Sequence, residues 1–153
     1  MESVVVKKLL AIGFLATISS ALAATPADMG EMLRVIEQDP PEQFEEVLTR
    51  FVSHAQAGDI DNMVLLTSDV TVSQIGRSEL AEHYKTDLSL ALKKCGSLSQ
   101  GGDVVHVTQE QSGTGPGWVY VKSCTNPEVG SVRLQFVILR ESSKIVVASV
   151  RAL

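Results

Sequence analysis

The chain has 153 residues, of which 44% are hydrophobic and 20% are charged, and its formal net charge is −5. This length suits one globular domain with enough apolar side chains for a core. The acidic balance excludes the nucleic-acid-binding classes that depend on clustered lysine and arginine, so we predict no nucleic-acid partner.

The first 23 residues have the pattern of a secretory signal peptide. Lys7 and Lys8 precede an apolar run at residues 9–18, and small residues follow as far as Ala23. This order is typical of a cleaved export signal. The apolar run is shorter than the ~20 residues that a membrane span needs. We predict cleavage after Ala23, no stable membrane span in the mature chain, and a periplasmic or secreted protein. An uncleaved anchor is the alternative.

Residues 24–41 form the next segment, which we interpret as an N-terminal arm or short helix. Met29, Met32, Leu33 and Ile36 follow helical spacing there. The run at 39–41 contains two prolines, which interrupt a helix and suit the first turn of a new one. We therefore place a single folded domain at residues 42–153.

The domain opens with the pattern of an amphipathic helix at residues 42–57. Its apolar face comprises Phe44, Val47, Leu48, Phe51, Val52 and Ala55. Gly58 suits the left-handed conformation that ends helices, and Asp59 suits the cap of a short helix that ends at Leu66. Alternating residues at 67–75 predict a turn and a short strand.

The longest predicted helix covers residues 75–95. Its apolar stripe comprises Leu80, Tyr84, Leu88, Ala91, Leu92 and Cys95. At ~1.5 Å per residue it is long enough to lie across a sheet.

After Gly96 the hydrophobic period changes from that of a helix to that of a strand. Strand patterns occupy residues 103–110, 117–124, 131–140 and 144–151, with turn signals between them. Helices followed by an antiparallel meander predict an α+β fold, in which the helices pack on one face of a curved antiparallel or mixed sheet.

Cys95 and Cys124 are the two cysteines of the chain, and both follow the predicted cleavage site. An exported protein can keep a disulfide, and two cysteines allow one intramolecular pairing. A metal site would need further ligands at regular spacing, and a catalytic thiol would favour a Cys-x-x-Cys pair or a nearby base. We predict a structural disulfide between Cys95 and Cys124.

The order of these elements resembles the nuclear-transport-factor-2-like superfamily, which includes ketosteroid isomerase and polyketide-cyclase-like proteins. The resemblance is carried by the helix at 44–57 with Gly58 and Asp59, by the short helix to Leu66 and by the predicted strand that ends in Ile75-Gly76-Arg77. The run Gly76-Arg77-Ser78-Glu79-Leu80-Ala81-Glu82-His83-Tyr84 and the four closing strands complete it. It implies a cone-shaped half-barrel with three N-terminal helices, a pocket between the long helix and the sheet, and homodimers through the outer sheet face.

The same resemblance implies that aromatic residues with polar groups line the pocket of the cone. Tyr84, His106, Trp118 and Tyr120 are the candidate ligand-binding residues. Tyr84 and His106 are also the candidate catalytic pair, because a buried tyrosine can polarise a carbonyl group and a histidine can act as a base. The alternative is that these aromatic side chains fill the core.

Glu79, His83 and Asp87 are spaced so that they form one row on the long helix. Such a row can ligate a metal, but more often it is a solvated face with weak ion pairs. The sequence lacks a nucleophile turn, a His-Glu-x-x-His motif and a phosphate loop. We therefore predict no metal site and no cofactor.

Three functions remain compatible with the sequence. The leading hypothesis is a small exported binding or accessory domain, without catalysis, that holds an apolar ligand or an envelope protein partner. The second is an isomerase- or cyclase-like enzyme that uses Tyr84 and His106. The third is a structural subunit of an envelope or secretion complex.

Overall fold

The computed structural model describes residues 26–99, 102–128 and 130–153, so the predicted signal peptide lies outside the described residues. The helices are α1 (Pro26–Gln38), α2 (Pro41–Ala57), α3 (Ile60–Leu65), α4 (Asp69–Ile75), α5 (residues 77–95) and α6 (Gln109–Ser112). The strands are β1 (Val104–Val107), β2 (Gly117–Asn126), β3 (Gly130–Glu141) and β4 (Lys144–Ala152).

The four strands form one antiparallel sheet in the order β1-β2-β3-β4. The pairing of β3 with β4 shifts register between Val137 and Ile138, because Ala148 is an extra residue on β4. A bulge of this kind bends the strand and increases its twist. The predicted α+β class and the meander are therefore confirmed.

Helix α2 lies in the centre of the molecule, between α5 and the inner face of the sheet. All six residues of its predicted apolar face are buried. The helix ends at Gly58, whose φ of 73° is left-handed, and Asp59 caps α3 by accepting from the main-chain N–H of Asn62. The local patterns of sequence therefore predict this part of the fold correctly.

Helix α5 is continuous but contains a π-helical turn at Tyr84–Leu88, between the α-helical segments Arg77–His83 and Ser89–Cys95. Leu80, Tyr84, Leu88 and Leu92 are all buried. Four residues of α-helix rotate about 40° beyond one full turn, so residues at this spacing drift around a regular helix. The wider π turn offsets that drift and keeps the four side chains on the core side.

Two elements differ from the sequence-based expectation. The predicted strand at 67–75 is helix α4, and Thr67 forms only a single parallel bridge with Val147. The side chain of Glu141 accepts from the N–H of Asp69 at 2.9 Å and from the hydroxyl of Ser68, so it caps α4 from the far end of β3. This distant cap outweighs the local strand preference of 67–75.

The predicted strand at 103–110 is shorter than expected, because β1 ends at Val107 and α6 follows. Thr108 and Gln111 form a capping box, in which each side chain accepts a hydrogen bond from the main chain of the other. The Thr-x-x-Gln spacing is a recognised helix-start signal, so this change could have been predicted from the sequence.

The predicted disulfide is present and joins the end of α5 to β2. Cys95 and Cys124 lie 5.3 Å apart between Cα atoms, and both are buried. Within the described part of the chain, no helix combines the length and the apolar character that crossing a membrane requires.

Candidate functional site

The site suggested by the sequence is built on alternate residues of β2. Trp118, Tyr120, Lys122 and Cys124 point toward the helices and are all buried. Because alternate residues of a strand face the same side, the sequence places these four in one row. Trp118, Tyr120 and Lys122 contact residues 39–45, and Cys124 is bonded to Cys95.

The polar ends of the two aromatic residues bind the chain where α2 begins. Nε1 of Trp118 donates to the carbonyl oxygen of Asp39 at 2.9 Å. The hydroxyl of Tyr120 donates to the carbonyl oxygen of Pro41 at 2.6 Å. Burial, together with the carboxylates of Glu45 and Glu42, raises the pKa of Tyr120. This phenol therefore stays protonated and keeps its donor role.

Arg140 and Asp39 complete this end of the sheet. Nε of Arg140 donates to Oδ1 of Asp39 at 2.7 Å, and the guanidinium lies 5.5 Å from the centre of the Phe44 ring. The Asp39 side chain is only 13% exposed, so the ion pair is largely withdrawn from water. Neither charged residue was recognised as a site residue from the sequence, because they are separated by 101 positions.

His106 lies beside this group on the neighbouring strand. It is the cross-strand partner of Trp118, and the two ring centres are 5.0 Å apart in an edge-to-face arrangement. Burial lowers the pKa of His106, while the negative charge of Asp39 opposes this shift. The imidazole is therefore mostly neutral near pH 7, which is the form that can accept a proton.

Tyr84 lies elsewhere, on the side of α5 that packs against α2 and α3. Its ring packs edge-to-face on Phe51 at 5.6 Å, and its hydroxyl lies 2.8 Å from Oγ1 of Thr67. Burial raises the pKa of Tyr84 to about 12. The structure thus brings His106, Trp118 and Tyr120 together at the sheet, and it places Tyr84 in a separate hydroxyl network with Thr67.

The row on α5 consists of one histidine between two carboxylates. Nε2 of His83 is 3.6 Å from Oε1 of Glu79, and Nδ1 is 3.6 Å from Oδ2 of Asp87. Among the residues that the structure describes, no group of three or more acidic, histidine or cysteine side chains is arranged to hold a metal ion.

Lys122 forms the third contact of the row on β2. Its Nζ lies 2.6 Å from Oε1 of Glu45, and its side chain is only 5% exposed, whereas that of Glu45 is 44% exposed. A buried ammonium group needs a partner, and Glu45 supplies it from the first turns of α2. The row therefore joins β2 to the start of α2 at three successive inward positions.

Fold and site together define a small α+β domain whose helices pack on one face of a four-stranded antiparallel sheet. No protein-family model matches the chain, and no curated protein matches it. Among solved structures, the chain is similar to a nuclear-transport-factor-2-like protein with a cystatin-like fold from Novosphingobium aromaticivorans. That similarity has a TM-score of 0.40 at 13% identity, and it covers 86% of this chain and 90% of the other. It assigns no activity to this chain.

Proposed function

We propose that the protein is a non-catalytic binding domain, exported from the cytoplasm, that holds a protein partner through one face of α1. The observation that carries the proposal is the exposed apolar face of this helix. Two further features support it, namely the internal bonding of the candidate catalytic donors and the signs of export.

The donors of the candidate site are already bonded within the protein. Trp118 and Tyr120 donate to main-chain carbonyl groups, and the hydroxyl of Tyr84 is paired with Thr67. A catalytic donor must reach the substrate at hydrogen-bond distance. Trp118 and Tyr120 instead hold the sheet to the start of α2, and Tyr84 holds α5 to Thr67, which favours binding over catalysis.

Export is supported by two independent features. The first 23 residues have the composition of a signal peptide, and Cys95 is bonded to Cys124. Disulfides persist in oxidising compartments such as the periplasm and the extracellular space. An envelope protein is therefore the expected partner.

Helix α1 presents apolar side chains to solvent. Met29, Met32, Leu33 and Ile36 are 58%, 49%, 62% and 39% exposed. They occupy positions i, i+3, i+4 and i+7, which is the spacing of helices that dock in hydrophobic grooves. A helix of 13 residues is marginally stable alone in water, so burial of this face would stabilise it.

The charge of α1 indicates what kind of surface it binds. Residues 26–38 contain three acidic residues and one arginine, so their net charge is 1 − 3 = −2. Helices that lie on membranes are typically rich in lysine and arginine, and a second copy of α1 would bring like charges together. The partner that fits is a protein with an apolar groove bordered by basic residues.

Site-specific photo-crosslinking in the source cells tests this function. We expect a discrete adduct from a photoreactive residue at position 32 and little from one at position 34, which lies on the opposite side of α1. A synthetic peptide of residues 26–38 should compete for the adduct, and the same peptide with Leu33→Glu should not. Equal adducts from both positions, or competition by both peptides, would exclude docking through this face.

An enzyme that uses His106 is the second candidate function, because burial lowers the pKa of this imidazole and its ring lies beside Trp118. The two functions can be separated by complementation of a deletion strain. The binding function predicts that Leu33→Glu fails and His106→Gln succeeds, whereas an enzyme predicts the reverse. A structural subunit of an envelope complex would give the Leu33→Glu defect together with an adduct that migrates as a large assembly in native gels.

A further inference from the structure

Strand β1 has main-chain hydrogen-bonding groups on its outer side that pair with no residue in the described part of the chain. The N–H of Val121 donates to the carbonyl oxygen of Asp103 at 3.0 Å, so these two residues form a hydrogen-bonded pair between the strands. In the same register Val105 lies opposite Val119, two residues further along, and forms the next hydrogen-bonded pair. Bonded and non-bonded residues alternate in antiparallel pairs. The N–H and C=O groups of Val104 and His106 therefore point away from β2, and no other described residue pairs with them.

The opposite edge of the sheet is covered. The N–H of Ser68 donates to the carbonyl oxygen of Val147 at 2.8 Å, and the N–H of Val147 donates to that of Leu66 at 2.8 Å. The side-chain hydroxyl of Thr71 donates to the carbonyl oxygen of Ala148, the next residue on β4. Residues 66–71, which include the first turn of α4, thus protect β4, and β1 has no comparable cover among the described residues.

The side chains of β1 add to this asymmetry. Val104 is 42% exposed and Val105 is 38% exposed, and the strand Val-Val-His-Val contains neither lysine nor proline. Edge strands are usually protected by such residues, by bulges or by covering segments. An exposed apolar edge without them is suited to pairing with another strand.

We propose that β1 pairs with β1 of a second copy of this chain, antiparallel, about a two-fold axis at Val105. Val104 of one copy then lies opposite His106 of the other, and the reverse pair forms on the far side of the axis. Each of these two pairs can exchange two main-chain hydrogen bonds, which gives four bonds between the copies. The two sheets of four strands become one sheet of eight.

A second copy fits this edge better than an unrelated strand. Val104 and His106, whose main-chain groups point outward, lie one on each side of Val105, so the edge is complementary to itself about this residue. The two Val105 side chains meet at a non-bonded pair, where opposed Cα atoms are only ~4.5 Å apart and side chains pack closely. The strand carries no lysine, arginine or carboxylate that would oppose its own copy. This contact uses the sheet edge, and it is independent of both the outer sheet face and the function proposed for α1.

Cysteine crosslinking tests the proposal directly. In the full mature chain, Val105→Cys should form a disulfide-linked dimer under mild oxidation, because ~4.5 Å between Cα atoms lies within the range of disulfides. Val121→Cys on the inner strand β2 is the matched control and should stay monomeric. A dimer from Val121→Cys or Val137→Cys, with none from Val105→Cys, would overturn the proposal in favour of packing through the sheet face.

Sedimentation of a proline variant gives a second, independent measurement. Val104→Pro removes an outward N–H and leaves the bonds between Val105 and Val119 intact, so the protomer should remain folded. We expect the wild type to sediment as a dimer at high concentration and Val104→Pro as a monomer with unchanged circular dichroism. A monomeric wild type, or a dimeric Val104→Pro, would refute pairing through β1.

Discussion

The hydroxyl oxygen of Tyr84 and Oγ1 of Thr67 are 2.8 Å apart, and the same Oγ1 donates to the carbonyl oxygen of Met63 at 2.8 Å. A carbonyl group has no proton to give, so Thr67 uses its one proton for Met63 and accepts the proton of Tyr84. The direction of this short chain of hydrogen bonds is thereby defined, and the phenol is bound as a structural donor.

This network predicts an unequal effect of removing its two members. Tyr84→Phe should lower the free energy of unfolding by about 1 kcal/mol, because one hydrogen bond is lost and Thr67 keeps its bond to Met63. Thr67→Val should cost more, about 1–3 kcal/mol, because it leaves the buried phenol without an acceptor. Urea unfolding measures both values. A larger loss for Tyr84→Phe than for Thr67→Val would contradict the assigned direction.

Alkaline pH should destabilise the protein through its tyrosines. Burial raises the pKa of Tyr84 from 10.0 to about 12, so the unfolded state loses its proton first. The contribution to stability is complete below pH 10 and is lost as the pH rises from about 10 to about 12. We expect phenolate absorbance to appear together with loss of near-ultraviolet circular dichroism. Ionisation at the ordinary tyrosine pKa in a folded protein would show that these phenols are accessible.

The disulfide should contribute strongly to stability. Cys95 and Cys124 are separated by 29 positions, and closing such a loop stabilises by about 3–4 kcal/mol on the chain-entropy model. Replacing both cysteines with serine should lower the free energy of urea unfolding by this amount and abolish its response to reductant. The wild type measured with and without reductant is the control, and equal unfolding midpoints would argue against a stabilising disulfide.

The pair of Lys122 and Glu45 should respond differently to the loss of each partner. Glu45→Ala leaves the buried ammonium group of Lys122 without its partner and should cost about 1.5–3 kcal/mol. Lys122→Met removes the charge and keeps most of the side-chain volume, so its cost should be below about 1 kcal/mol. Thermal and urea unfolding of the two variants test this order. If Lys122→Met were the more damaging change, the ion pair itself would be the source of stability.

Two glycines provide a matched test of packing. A Cβ atom at Gly117 would collide with the main-chain carbonyl of Ile138, so Gly117→Ala should cost about 1–3 kcal/mol or prevent folding. Nothing lies within 4 Å of a Cβ atom at Gly30, and alanine favours helix by about 1 kcal/mol over glycine. Gly30→Ala should therefore slow amide hydrogen exchange in α1 without lowering global stability. Faster exchange in α1 would mean that this glycine is needed.

Local patterns predicted most of the helices and strands. The six apolar positions of α2 and the left-handed Gly58 were predicted correctly, because helical periodicity and helix termination depend on neighbouring residues. Helix α4 was predicted wrongly, because the Glu141 side chain that caps it lies 72 positions from Asp69. A preference inferred from residues 67–75 alone cannot include a partner from another strand.

The sequence by itself determined the helical faces, the antiparallel meander and the single pairing of Cys95 with Cys124, since each depends on spacing along the chain or on the number of cysteines. Only the tertiary structure decided what Trp118 and Tyr120 do, because their acceptors on Asp39 and Pro41 are each 79 positions away. The sequence predicts which residues share a face. The packing of distant segments determines which of their polar groups remain available to a ligand.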